Sequence, residues 1–384
     1  MNEAFRSRRR RLPLMAMALA AALMTCFGLM PTHQAGAATP YPVIKINGPR
    51  FTTTGGANPL PTDRTVPHWH GSFTDGANNN PYGFNMVGSD PSTNGATTVN
   101  TEVIPLNFVF QGSGNSELYG TGASNVVEQS PMFANTPLPS GENTQYLDGV
   151  MRSEFNKIGT GYHTTLNNTA TLPAQTIVVP AQYGGVYQVQ SGQILGVIDQ
   201  TWYQNALTNV MQPLQLDPTT LPIFISYDTY LDNGGLANCC VLGFHGAGSP
   251  NSGGPTHGNG NQPVRTFVWA SWMPTGLFPP GMNDVTGLSH EVSEWGHDPF
   301  VDNYVNPWAL PGEQQYGCTN TLETGDPLVG TNFAAGTTNP DPQTGPAWHL
   351  QDEANLWWFE RQPTQASNHA YSYLGTLTSP APTC

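Results

Sequence analysis

The sequence predicts an α+β fold with a central mixed sheet. Three observations lead there. Apolar runs of strand length and amphipathic stretches of helix length both occur, they follow one another without a regular strand–helix period, and nothing repeats over the 384 residues. Taken in order, residues 1–37 read as a secretory signal peptide. Arg6, Arg8, Arg9, Arg10 and Arg11 precede a mostly apolar run over 12–30, and Ala35-Gly36-Ala37 supplies small residues for cleavage before Ala38. The run 7–12 also loosely resembles a twin-arginine export signal.

Residues 38–100, rich in Gly, Asn, Pro and Thr, are expected to form an irregular N-terminal arm. His68-Trp69-His70 would put both imidazoles on one side of an extended segment. A hydrogen-bonded loop or surface pair explains them more simply than half a metal site. From 101 to 384 an α+β domain is expected. Its first strand is 103–110, VIPLNFVF, a nearly unbroken apolar run that suits a buried strand. A helix follows at 146–157, a strand at 176–179 and an amphipathic helical segment at 194–207. Strands at 222–227 (PIFISY) and 265–271 (RTFVWAS) lead to the chemically rich segment 284–328. A Gly/Thr/Asn/Pro loop over 329–346 precedes an aromatic closing helix or plug at 348–361.

Composition narrows the function classes. The hydrophobic fraction of 38% suffices for a large core. Only 10% of residues are charged, against about 25% in ordinary soluble proteins. With 1–37 removed, seven basic residues face 25 acidic ones. No basic patch is left to neutralise a phosphate backbone or an anionic lipid surface, so nucleic acid is excluded as a partner. Beyond the signal there is no further apolar run of about eighteen residues. A secreted or extracytoplasmic protein without stable membrane insertion is therefore expected. Four cysteines remain: Cys239, Cys240, Cys318 and Cys384. An even count in an exported chain suggests two disulfides. Neighbouring Cα atoms lie closer than disulfide geometry prefers, so Cys239 and Cys240 are expected to pair separately, with Cys318 and Cys384.

The segment Leu288-Ser289-His290-Glu291-Val292-Ser293-Glu294-Trp295-Gly296-His297-Asp298-Pro299 carries the chemistry. Asp284 or Thr286 can cap a short helix here, and Gly296 or Pro299 can end it. His290 and Glu294, four residues apart, lie about 40° apart on one helix face and can offer two ligands to one zinc ion. Glu291 is rotated about 100° from His290. In HExxH enzymes this neighbour is the general base that takes a proton from water. The competing reading is a solvent-exposed polar face. Against it, Leu288, Val292 and Trp295 form an apolar stripe, and five ionisable side chains fall within nine residues of a chain poor in charge. A second acidic cluster, Glu323-Thr324-Gly325-Asp326, can supply the third protein ligand that a catalytic zinc takes.

Several pieces occur together in order: His290-Glu291-Val292-Ser293-Glu294, Asp298-Pro299, Trp308, Glu323-Thr324-Gly325-Asp326, and upstream Cys240 with Gly243-Phe244-His245. This pattern resembles exported bacterial proteins related to the plant phosphate-induced, exordium-like family. The resemblance covers mainly 222–328 and implies a zincin-like α+β fold, an active-site helix among long loops, an extracellular location and peptidase activity. It makes Glu323 the first candidate for the third zinc ligand. Asp298 is the second, either as ligand or as acceptor for the His290 imidazole. His245 is a candidate stabiliser of the oxyanion.

No phosphate-binding glycine loop opens a helix and no G-x-S-x-G elbow is present. The sequence thus predicts a secreted zinc metallopeptidase acting on a peptide or protein substrate. The alternative is a non-catalytic extracellular or cell-wall-associated protein that keeps the zincin-like frame and binds polysaccharide.

Overall fold

The computed structural model describes residues 41–46, 50–51, 65–248, 264–309 and 318–384. The expected signal peptide at 1–37 lies outside the described residues. From Pro40 to Cys384 the chain makes one compact unit. Its principal strands are β1 (Ala96–Phe110), β2 (Gln175–Val179), β3 (Gly184–Val189), β4 (Ile194–Asp199), β5 (Leu221–Tyr227), β6 (Thr229–Asp232), β7 (Cys239–Gly248) and β8 (Arg265–Trp272). They belong to one sheet in the order β3-β4-β6-β7-β8-β5-β1-β2. The sheet is mixed: β8-β5-β1-β2 run parallel, whereas β7 is antiparallel to both β6 and β8. This bears out the α+β expectation with its central mixed sheet.

Strand alternation sorts the core onto two faces. Ile223, Ile225, Val268 and Ala270 face one core cluster, which also holds Leu288, Val292 and Trp295. Phe224, Phe244 and Trp269 face the other, packed with Tyr203 and Leu207. Besides a short helix at Thr121–Val127, the helices among the described residues are α1 (Tyr146–Glu154), α2 (Gln200–Leu214), α3 (Thr286–His297) and α4 (Leu356–Glu360). A two-stranded ribbon, β9 (Asn332–Ala335) with β10 (Trp348–Gln351), lies between α3 and α4 in sequence and packs on α3.

Several expectations need correction. The amphipathic segment 194–207 divides into strand β4 and the start of α2. Gly196 lies under Phe110, where a Cβ would come within 2.4 Å of the ring, and Asp199 caps the helix by accepting from Trp202 N at 2.8 Å. Residues 38–100 contain an antiparallel hairpin, His68–Thr74 with Pro81–Val87, and β1 begins within them. Cys239 and Cys240 are bonded to each other across a cis peptide with Cα atoms 3.0 Å apart, and Cys318 pairs with Cys384. The expectation of separate partners assumed the wider trans spacing. Among the described residues no helix is long and apolar enough to cross a membrane.

Candidate metal centre

Helix α3 is buried along its whole length. Leu288, Val292 and Trp295 insert into the core, and Trp295 Nε1 donates to Thr266 Oγ1 at 2.9 Å. The exposed polar face that competed with the metal reading is absent. The expected side-chain cap is absent too: the capping residue is Val285. Asp284 instead accepts from the Val285 and His349 amides, at 2.6 and 3.0 Å. The helix passes through Gly296 to His297. At Gly296 a Cβ would lie 2.6 Å from Leu147 of α1, so glycine serves close helix packing there rather than termination.

The one-turn spacing does bring His290 and Glu294 together, with His290 Nε2 3.1 Å from Glu294 Oε1. Strand β7 supplies the third element. Alternation turns Gly243, His245 and Ala247 to the same side of β7. His245 Nδ1 lies 3.3 Å from Glu291 Oε2 and 3.6 Å from Glu294 Oε2. A Cβ on Gly243 would sit 2.7 Å from Glu291 Cγ, so the missing side chain makes room for that carboxylate. The loop after Thr319–Thr321 brings Glu323 to the same place. It is fastened by Gly325, whose N–H donates to Glu294 Oε1 at 3.1 Å.

Among the described residues, two groups of three donors can hold a metal ion, His245-Glu294-Glu323 and His290-Glu291-Glu294, with the donor atoms of each group within 4.8 Å of one another. Glu294 belongs to both. The expected trio of His290, Glu294 and Glu323 is thus divided between them. Asp298 joins neither; it ends α3, and its Oδ1 accepts from the Asp302 and Asn303 amides at 3.0 and 3.2 Å. His297 points away as well, with Nε2 2.7 Å from Glu154 Oε2 of α1.

Two participants, Gln351 and Glu353, were not singled out in the sequence. Gln351 at the end of β10 donates from Nε2 to Gly325 O at 2.8 Å, and the same nitrogen lies 2.9 Å from His290 Nδ1. Glu353 is buried beyond it and accepts from Tyr146 Oη at 3.0 Å. The only hint was a cluster of polar residues in an aromatic tail. Among the donors Asp326 is the most open, its side chain 25% exposed and 3.9 Å from His290 Nε2.

Burial and charge set opposing protonation tendencies. Burial pushes Glu291 up to about 7, although its hydrogen bond to His245 pulls the other way. For Glu294 burial also pushes up, but the charge of His290 and hydrogen bonds from both imidazoles hold it well below the usual carboxylate range. Burial opposes protonation of His290, yet the Glu294 charge carries it to about 10. Glu323 is raised well above its ordinary value by burial and then by Glu294.

The donors fit zinc, which takes imidazole nitrogen and carboxylate oxygen together. Buried Glu291 Oε1 and Glu323 Oε1 have no hydrogen-bond partner among the described residues. Carboxylate oxygens left so far from water are costly unless a cation or proton meets them. The fold and site together define a mixed α+β protein with a buried His/Glu cluster able to chelate a metal ion. Comparison adds no relative: no family model, no curated protein and no solved structure matches the chain.

Proposed function

We propose that this protein is an exported, zinc-dependent hydrolase of peptide bonds. The observation that carries the reading is the convergence of two imidazoles and three glutamates from strand, helix and loop at one buried point. Glu294 and Glu323 would hold the ion together with one imidazole. A bound zinc ion supplies Lewis acidity, polarising a carbonyl and making water more acidic. Glu291 stands beside that group, its Oε2 placed by His245 and its Oε1 open to accept a proton. It takes the proton from water as the peptide carbonyl is attacked and returns it to the leaving amine. Gly243 keeps the space for this carboxylate. Cleavage before Ala38 and a peptide or protein substrate belong to the same proposal, supported by the arginine-rich start and apolar run of the sequence.

The test pairs metal analysis of the purified mature chain with peptidase assays of Glu291→Gln. The variant should keep its zinc, since the amide leaves the other donors untouched. It should lose about 10²- to 10⁴-fold in rate, the usual share of a general base. Full activity in Glu291→Gln would refute the base assignment. A wild-type chain that binds zinc but cleaves no peptide would be the non-catalytic wall protein instead.

A further inference from the structure

Two side-chain amides beside the metal centre keep polar atoms that the fold does not use. Asn332 opens β9 and stands directly opposite Gln351 of β10, so both side chains leave the ribbon on one face, about 5 Å apart at Cβ. Gln351 reaches His290 and Gly325, which puts Asn332 one side chain away from the donor cluster. Nδ2 and Oδ1 of Asn332 are both shut off from solvent without a hydrogen-bond partner among the described residues, and so is Oε1 of Gln351. Gly281 closes over Asn332, where a Cβ would come within 3.5 Å of Asn332 Cβ. Buried polar atoms are normally paired, and leaving three of them bare at one place is costly.

The same face leads out to solvent. Side chains two residues apart share a face, so Ala334 and His349 lie in line with Asn332 and Gln351. Along that line Gln351 is buried, Asn332 and His349 are partly buried, and Ala334 is exposed. On the opposite face Phe333 and Leu350 join the core. A carboxamide offers a donor and an acceptor side by side, which complements the C=O and N–H of a peptide backbone. The four residues of this face include no Trp, Tyr or Phe on which a sugar ring could stack, which favours peptide over polysaccharide.

We propose that Asn332, with Gln351 Oε1 beside it, is a subsite for one backbone peptide group of the substrate, next to the bond presented to the metal centre. Asn332 Oδ1 accepts from a substrate N–H and Nδ2 donates to a substrate C=O, while the chain lies along the ribbon face past Ala334. The proposal rests on the hydrolase reading above and deepens it: contacts to backbone alone hold a peptide whatever its side chains.

The probe is β-casein, an unfolded protein that offers varied side chains. The bond that the wild type cuts fastest defines a capped hexapeptide, and analogues replace each N–H in turn with an ester oxygen. One replacement should raise the wild-type KM about 5- to 100-fold with kcat little changed, as for a hydrogen bond to a buried group otherwise left unpaired. Asn332→Leu should raise KM for the all-amide peptide by a similar factor and make that ester replacement harmless. Its ligand-free urea midpoint should not fall, because leucine keeps the volume and removes two unpaired atoms. Ala334→Trp, at an exposed position, tests the path separately and should also raise KM. An unchanged KM in either variant, an ester penalty that persists in Asn332→Leu, or a lowered midpoint overturns the subsite and leaves the hydrolase reading standing. A wild type that binds casein without cutting it, and binds it less tightly as Asn332→Leu, overturns the hydrolase and keeps the subsite. A wild type that ignores casein, or that binds cellohexaose there instead, overturns both.

Discussion

Gly325 offers the sharpest test of how the centre is assembled. A Cβ built on it would lie 2.3 Å from His290 Nδ1, 2.5 Å from Cε1 and 2.8 Å from Cγ, where ordinary contacts are 3.4–4 Å. The imidazole cannot yield, because Gln351 holds one side and Glu294 the other. Gly325→Ala must therefore push the loop off α3 by about 1 Å, an overpacking that costs about 1–3 kcal/mol. The shift also stretches the Gly325 hydrogen bond to the Glu294 carboxylate, a bond to a charged group worth about 1.5–3 kcal/mol. These terms overlap, since the same displacement causes both, so a net loss of about 2–4 kcal/mol is expected. The assays are urea unfolding of the metal-free chain and zinc affinity by chelator competition. Both should fall, because Glu323 travels on the same loop. Wild-type stability together with wild-type affinity would refute the close approach of loop and helix.

Two further predictions follow from pairs outside the metal group. Burial opposes protonation of His297, but the charge of Glu154 and its hydrogen bond outweigh it and raise the imidazole above 6.5. A raised histidine contributes stability that is fully present below the unfolded value and lost as pH rises through the folded one. The urea midpoint of the wild type should therefore exceed that of His297→Gln most at pH 6 and by a smaller margin at pH 9; a margin that grows with pH contradicts the pairing. Cys318 and Cys384 close a loop across a sequence separation of 66. In the chain-entropy description, Cys318→Ala with Cys384→Ala should cost about 4 kcal/mol, and non-reducing peptide mapping should recover the 239–240 and 318–384 bonds. Cross-pairing between the two sets would refute the structure here.

Much of the frame was legible because it follows from short-range rules. Residues 103–110, 222–227 and 265–271 are apolar runs too short for helices, and all three lie within strands of the central sheet. His290 and Glu294 meet because a helix brings residues four apart together, wherever that helix sits. Where packing or chain closure decides, local rules failed. The run 194–207 has both the β-branched content of a strand and an amphipathic pattern, and packing under Phe110 decided for a strand first. The cysteine pairing failed likewise, since peptide isomer and partner distance are not written in spacing.

The sequence alone determined the residue types of the centre: an imidazole and two glutamates on one helix, a second histidine two residues after a glycine, and a later acidic loop. Tertiary structure alone decided which of them meet. His245 and Glu323 lie 49 and 29 residues from Glu294 and reach it through the β7 pleat and a loop pinned by Gly325. Gln351, 61 residues beyond His290, is invisible to any motif, yet its amide joins His290 Nδ1 to the Gly325 carbonyl of the acidic loop. Periodicity governs neighbours along one element. Directional hydrogen bonds between elements exist only once the chain has closed on itself.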